Sequence, residues 1–378
     1  MGVIAVVLIP EPSRQMARTQ KKVFGSFFLP GPTEVRPEVL AAMTQPMIGH
    51  RVAEMEELIG HIQPRLRAVF GTQRPVYISA SSATGLMEGA VRNGARRRVL
   101  SLVNGAFSER FFQIAQASGL RADPLEVEWG EGHTAEMLEH ALSRGIYDAV
   151  TVVHSETSTG AFNPIADLAR VTAAAGDVVL LVDSVSGAGG AEIRADEWGL
   201  DFVLTGSQKS FALPPGLAFG VAQPSILERA KSKKDRGIYF DFIEFERNIL
   251  KNQTPNTPAV SLLYALKVQL DRIEEEGLSG RLARHRAMAE RTWAWCDALG
   301  LEVLVKDRAF RSPTVTCVRC PAGFTGPQVA TAIKKNGFQI ATGYGRMKDE
   351  SFRIGHMGDH TIDRLDALLD ALAKVLKR

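Results

Sequence analysis

Cysteine is nearly missing from this chain of 378 residues. There are three, an odd number in a long chain, which implies no disulfide framework and fits a reducing compartment. Net charge is nearly missing too: 45 basic residues against 42 acidic ones leave +3, so the totals carry no nucleic-acid or membrane footprint. The densest basic run, Arg96-Arg97-Arg98, falls between a helix end and an apolar stretch, where it complements the helix dipole. No apolar run reaches the length of a membrane span. Val3–Ile9 is too short and lacks a basic leader and a small-residue cleavage site, so no signal peptide is expected and the cytoplasm is the default. The 34 glycines show no period and no heptad persists, which excludes collagen-like and coiled-coil rods. What remains is a globular composition, 45% hydrophobic and 23% charged, long enough for a large domain with a smaller companion.

Residues 75–222 alternate short apolar runs with helical patterns. The runs at 75–79, 98–103, 149–153, 178–182, 202–205 and 217–222 are rich in Val, Leu and Ile. Such runs suit strands buried on both faces, hence a largely parallel sheet between helix layers. Amphipathic stretches at 135–144 and 165–175 supply the helices, so the class is α/β, doubly wound. After Pro258 two long helical patterns, 259–276 and 279–299, precede expected strands at 301–305 and 314–318. A helix at 326–336, strand-like pieces near Gln339 and Phe352 and a helix at 362–376 complete a smaller α+β region. Glycines 337, 343, 345, 355 and 358 mark tight turns there. The expected division is an N-terminal extension at 1–28, a large domain at 29–270 and a small C-terminal domain at 271–378. Cys317 and Cys320 lie in an alternating stretch that sends them to opposite faces, so neither zinc nor any other metal site is expected.

Open parallel sheets collect function at the carboxyl ends of their strands. Asp183 follows an oily strand, and Lys209 follows another within Gly206-Ser-Gln-Lys209. Ser82, Ala83 and Thr84 open a helix, Phe107 sits on a loop after a strand, and His154 begins the stretch to Gly160. Singly, each has a structural use: a cap, a surface lysine, a core ring, a satisfied core histidine. Together they make a phosphate cradle, a ring platform, an acid for a ring nitrogen and an amine for an aldehyde. That set meets the needs of pyridoxal phosphate.

The chain resembles the class V aminotransferases of fold type I, especially the alanine/serine–glyoxylate group. The segments that carry the likeness are Leu29-Pro-Gly-Pro-Thr33, Ile48-Gly-His-Arg51, Ser82-Ala-Thr-Gly-Leu-Met-Glu88, Asn104-Gly-Ala-Phe107 and Glu156-Thr-Ser-Thr-Gly160. They continue in order with Leu181-Val-Asp-Ser-Val185, Gly206-Ser-Gln-Lys209, Pro214-Pro-Gly216, Asn256-Thr-Pro258 and Phe352-Arg-Ile-Gly355. The resemblance implies that Lys209 holds the cofactor as a Schiff base and moves protons, and that Asp183 pairs with the pyridinium nitrogen. It implies that Phe107, where many relatives carry Trp, stacks on the ring. Ser82, Ala83, Thr84 and Gln208 would bind the phosphate, and Thr157 or Ser158 would lie near the phenolic oxygen. Arg353 would clamp the substrate carboxylate. Gly31, His50 and Arg51 would border the substrate. Asn256 and Thr257 match positions that reach across a homodimer interface to the partner's phosphate. Ala83 departs from the pattern, since relatives usually have Gly there.

The resemblance implies amino-acid and 2-oxo-acid substrates, with alanine or serine as donor and glyoxylate or pyruvate as acceptor. Phosphoserine aminotransferase is the runner-up, because His50-Arg51 resembles a basic pair that grips a substrate phosphate. Aspartate aminotransferase ranks below it. Cysteine desulfurase needs a mobile nucleophilic cysteine and usually has His where Gln208 stands. A non-catalytic relative would have lost Lys209 or Asp183; both are present.

Overall fold

The computed structural model describes residues 24–377. The Val3–Ile9 run and most of the expected extension lie outside the described residues. Within that extension, β1 (Phe27–Phe28) is already part of a sheet. The large sheet holds seven strands: β2 (Tyr77–Ser79), β3 (Arg98–Val103), β4 (Arg121–Glu126), β5 (Ala149–Val153), β8 (Val179–Asp183), β9 (Phe202–Gly206) and β10 (Ala218–Ala222). A short hairpin, β6 (Ser155–Glu156) with β7 (Ala161–Phe162), follows β5. The order across the large sheet is β2-β10-β9-β8-β5-β3-β4, and β10 alone runs against its neighbours.

Strands β5, β8, β9 and β10 are buried at every position, as their continuous Val, Leu and Phe content requires. Fully burying one such side chain contributes about 1.5–3 kcal/mol, so these strands anchor the domain. The expected run at 178–182 is shifted by one residue: β8 includes Asp183, which therefore ends the strand from inside the core. β4 was not legible in the sequence. It is the outer edge strand, pairs only with β3, alternates exposed and half-buried residues, and carries Pro124. An edge strand needs no oily run and tolerates proline on its open side.

The second sheet has the order β1-β12-β13-β11, with β11 (Val315–Arg319), β12 (Gln339–Thr342) and β13 (Ser351–Gly355). Its own core unites Phe28, Trp293, Phe352, Ile354 and Leu368, separate from the large core around the seven-stranded sheet. The strand expected at 301–305 is absent. That segment makes one bridge, Val303 to Val318, after which the Arg311 side chain takes the carbonyls of Val305 and Lys306. Cys317 lies buried on β11 beside Leu304 and Met347, whereas Cys320 follows the strand and packs against the other core, so the two do diverge. All three cysteines are free. No helix among the described residues is long and apolar enough to cross a membrane.

Candidate active site

Strand direction builds the site. β3, β5, β8 and β9 run parallel, and their carboxyl ends deliver Phe107, Thr157, Asp183 and Lys209 to one cavity of about 290 Å³. From β3 the chain crosses to β4 on one side, whereas from β5 it proceeds through β8 to β9 on the other. The crevice where strand order reverses is where ligands bind in such sheets.

Lys209 is 7% exposed, and its ammonium donates to the Pro30 carbonyl. Gly31 has φ +102°, and a Cβ there would lie 2.4 Å from Lys209 Nζ, so only glycine leaves the lysine its place. Thr33 fastens the same loop: its N–H donates to the Gln208 carbonyl at 2.9 Å and its hydroxyl to the Lys209 carbonyl at 2.9 Å. Burial, and then the Arg353 charge, pull the Lys209 ammonium down to about 8, opposed by Asp183 and Glu156. Burial pushes the Asp183 carboxyl up to about 7, and the Glu156 charge adds to the shift. One Asp183 oxygen accepts the Val185 N–H at 2.8 Å; the other has no hydrogen-bond partner among the described residues. A buried carboxyl held this reluctantly is suited to a cation that arrives from outside.

The helix Ala83–Gly94 opens at the cavity. Its N-cap, Ser82, makes no side-chain cap bond, and its first turn holds no acid. Ser82, Ala83, Thr84 and Gln208 all face the cavity, a set of hydroxyls and N–H groups fit for an anion. The Ala83 methyl is tolerated because residue 206 is glycine: a Cβ on Gly206 would meet that methyl at 3.3 Å and Gln208 Oε1 at 2.9 Å. Phe107 and Val185 supply apolar walls for a flat ring.

Thr157 lines the cavity, its hydroxyl 2.5 Å from that of Ser186. Ser158 does not. It is fully buried, donates to Glu156 at 2.6 Å and accepts the Ala106 N–H at 3.0 Å. Arg353, 7% exposed, lies beside the cavity rather than on its wall. Its Nε donates to the Thr342 carbonyl and one terminal nitrogen to the Thr157 carbonyl, both at 2.9 Å, leaving Nη2 without a partner among the described residues. His50, Arg51, Asn256 and Thr257 are absent from the cavity of their own chain. His50 is half-buried and the other three are exposed, and the two segments touch where Arg51 donates to the Pro255 carbonyl at 3.3 Å.

Sequence reasoning missed three contributors. Glu156 is fully buried and accepts from the N–H groups of Phe107 and Ser108, capping the helix Ala106–Ala117 from across the site. Arg110 lines the cavity with its guanidinium 4.9 Å from the Phe107 ring; its spacing of three residues from Phe107 was a readable signal. Tyr344 stands 5.4 Å from the Phe107 ring, and nothing local announced it. His154 is a core histidine: burial pulls it down to about 3, and it bonds the Ser184 hydroxyl at 2.9 Å.

Residues 82–347 match the Aminotransferase class-V family. The chain belongs to the class-V aminotransferases. It is 40% identical over 338 residues to an uncharacterized aminotransferase of Methanocaldococcus jannaschii, covering 87% of each chain. It is 34% identical over 342 residues to the L-aspartate–glyoxylate aminotransferase of Paracoccus denitrificans, covering 88% of this chain and 86% of that one. The alanine–glyoxylate aminotransferase of a Nostoc species superposes with a TM-score of 0.87 at 28% identity, over 97% of this chain and all of the other (100%). This class-V enzyme is a fold type I, pyridoxal-phosphate-dependent transaminase that passes an amino group between an amino acid and a 2-oxo acid. Desulfurase chemistry is disfavoured by its thiols: burial pushes Cys296 up to about 12 and Cys320 to about 11, leaving little thiolate at neutral pH.

Proposed function

We propose that the enzyme moves the amino group of a small neutral amino acid, alanine or serine, to glyoxylate or pyruvate. The size of the cavity carries this reading. At about 290 Å³ it falls just below the ~300–1,000 Å³ typical of small-molecule sites, which favours a small substrate beside the cofactor. Glyoxylate as acceptor is supported by the names of two of the proteins this chain is similar to.

In this reading Lys209 holds the cofactor and carries the proton to and from the substrate α-carbon. Asp183 keeps the ring nitrogen charged, and the first turn of the helix Ala83–Gly94, with Gln208, takes the phosphate. Phe107 faces the ring, Thr157 its phenolic oxygen, and Arg353 Nη2 the substrate carboxylate. Pyridoxal phosphate, when bound, supplies the electron sink that makes the amino group transferable. Residues 29–270 form the cofactor domain and 271–378 the smaller domain that brings Arg353.

The working unit is a homodimer in the cytoplasm, with His50, Arg51, Asn256 and Thr257 serving the partner's site. Their surface position supports this, as do the apolar side chains exposed in or near those segments: Met47 at 69%, Val52 at 39% and Leu250 at 67%. Phosphoserine as donor would need Arg51 to meet a dianion. Aspartate is a second reading, favoured by Arg110, a cavity guanidinium with no ion-pair partner among the described residues.

Initial rates with alanine, serine, aspartate and phosphoserine against glyoxylate, pyruvate and 2-oxoglutarate separate these readings. Alanine or serine with glyoxylate should give the highest kcat/KM, and Arg51→Ala or Arg110→Gln should alter it only modestly. A preference for aspartate that disappears in Arg110→Gln installs the second reading. A preference for phosphoserine that disappears in Arg51→Ala installs the third.

A further inference from the structure

Tyr344 lies on the turn after β12, between Gly343 and Gly345. The turn is anchored: the Gly343 N–H donates to the Ser351 carbonyl at 2.7 Å, and the Met347 N–H donates to the Tyr344 carbonyl at 3.0 Å. The small sheet therefore presents this ring from a fixed backbone. Its ring lies against Phe107 with centroids 5.4 Å apart and planes tilted by 40°. The Arg353 guanidinium lies over the same Tyr344 ring, 5.3 Å from its centre. Arg353 is thus held at two edges by the Thr342 and Thr157 carbonyls and over one face by an aromatic ring, while Nη2 remains for a ligand. Tyr344 also lines a second cleft, about 860 Å³, whose walls carry Glu109, Glu126, Glu128 and Glu131.

We propose that Tyr344 is a positioning residue that braces the Phe107 ring and the Arg353 guanidinium as one unit. The proposal rests on the reading of Arg353 as carboxylate clamp and of Phe107 as ring platform. One tyrosine from the turn after β12 thereby links the cofactor's stacking partner, in the first turn of the helix Ala106–Ala117, to the substrate's anchor on β13. Its ring gives Arg353 a cation–π face that replaces lost hydration. A brace of this kind acts equally on every bound carboxylate. It changes binding more than the chemical step.

The test uses the holoenzyme and Tyr344→Ala, Tyr344→Leu and Tyr344→Phe. Acetate, an unreactive carboxylate, is titrated by the change in cofactor absorbance, and KM and kcat are measured with the preferred substrate pair. Tyr344→Ala should raise the acetate Kd and both KM values roughly tenfold, about 1.4 kcal/mol, with kcat within about twofold. Tyr344→Phe should restore wild-type values, because the ring and not the hydroxyl makes both contacts; Tyr344→Leu should fall between. Arg353→Gln serves as the control. Acetate binding that survives Arg353→Gln overturns the clamp reading and this proposal with it. Acetate binding lost in Arg353→Gln yet unchanged in Tyr344→Ala overturns the brace alone, as does a Tyr344→Phe defect equal to that of Tyr344→Ala.

Discussion

Replacing Asp183 by Asn should stabilise the cofactor-free protein while weakening the loaded one. Burial raises this carboxyl from 3.8 to about 7, against the Val185 N–H and the Lys209 charge that oppose the shift. An acid whose folded-state pKa lies above its unfolded value holds its proton more tightly when folded. Its contribution is most favourable below the unfolded value of 3.8 and is lost as pH rises through about 7. About three pKa units at ~1.4 kcal/mol each make the ionised side chain a burden of roughly 4 kcal/mol at pH 8, and under ~1 kcal/mol at pH 4. Asparagine keeps the bond from Val185 and removes the charge. Denaturant midpoints of dialysed apoprotein at pH 4, 6 and 8 should therefore show the variant gaining on wild type as pH rises. Adding pyridoxal phosphate should reverse the order, since the ring cation then stabilises the carboxylate and ligand binding adds its own free energy to the wild type. A variant no more stable than wild type at pH 8, or equally ahead at pH 4, would refute the reasoning.

Gly31→Ala should slow labelling of Lys209 by pyridoxal phosphate and borohydride at least tenfold, because its methyl would lie 2.4 Å from Nζ. The φ of +102° adds a strain of about 1–3 kcal/mol, visible in thermal melting; labelling at the wild-type rate would show that the loop yields. Mixing Lys209→Ala chains with Asn256→Ala, Thr257→Ala chains should restore partial activity through one intact composite site. Proven heterodimers without restored activity would mean each subunit is self-sufficient.

Much of the site was legible because its residues follow oily strands. A parallel sheet buried on both faces writes continuous Val and Leu runs, and the residue after each run marks the edge where ligands bind. Asp183, Lys209 and Phe107 were found that way, Thr157 only through the family resemblance, and the structure gathers all four in one cavity. Edge strand β4 was invisible for the converse reason: half exposed, it needs no oily run. Ser158 and Thr157 are neighbours in the chain, and only packing decided which faces the cavity and which holds Glu156.

Local pattern, then, determined the fold class, the strand ends and the residue types available for chemistry, since burial and periodicity act over a few residues at a time. Tertiary structure decided what long-range geometry alone can decide. It placed Gly31 against Lys209 across 178 positions, turned His50, Arg51, Asn256 and Thr257 away from their own cavity, and brought Glu156 and Tyr344 to Phe107. Charges and rings interact over a few ångströms of space regardless of separation along the chain. No spacing rule encodes those meetings, and the shifted carboxyl of Asp183 exists only once the sheet has closed around it.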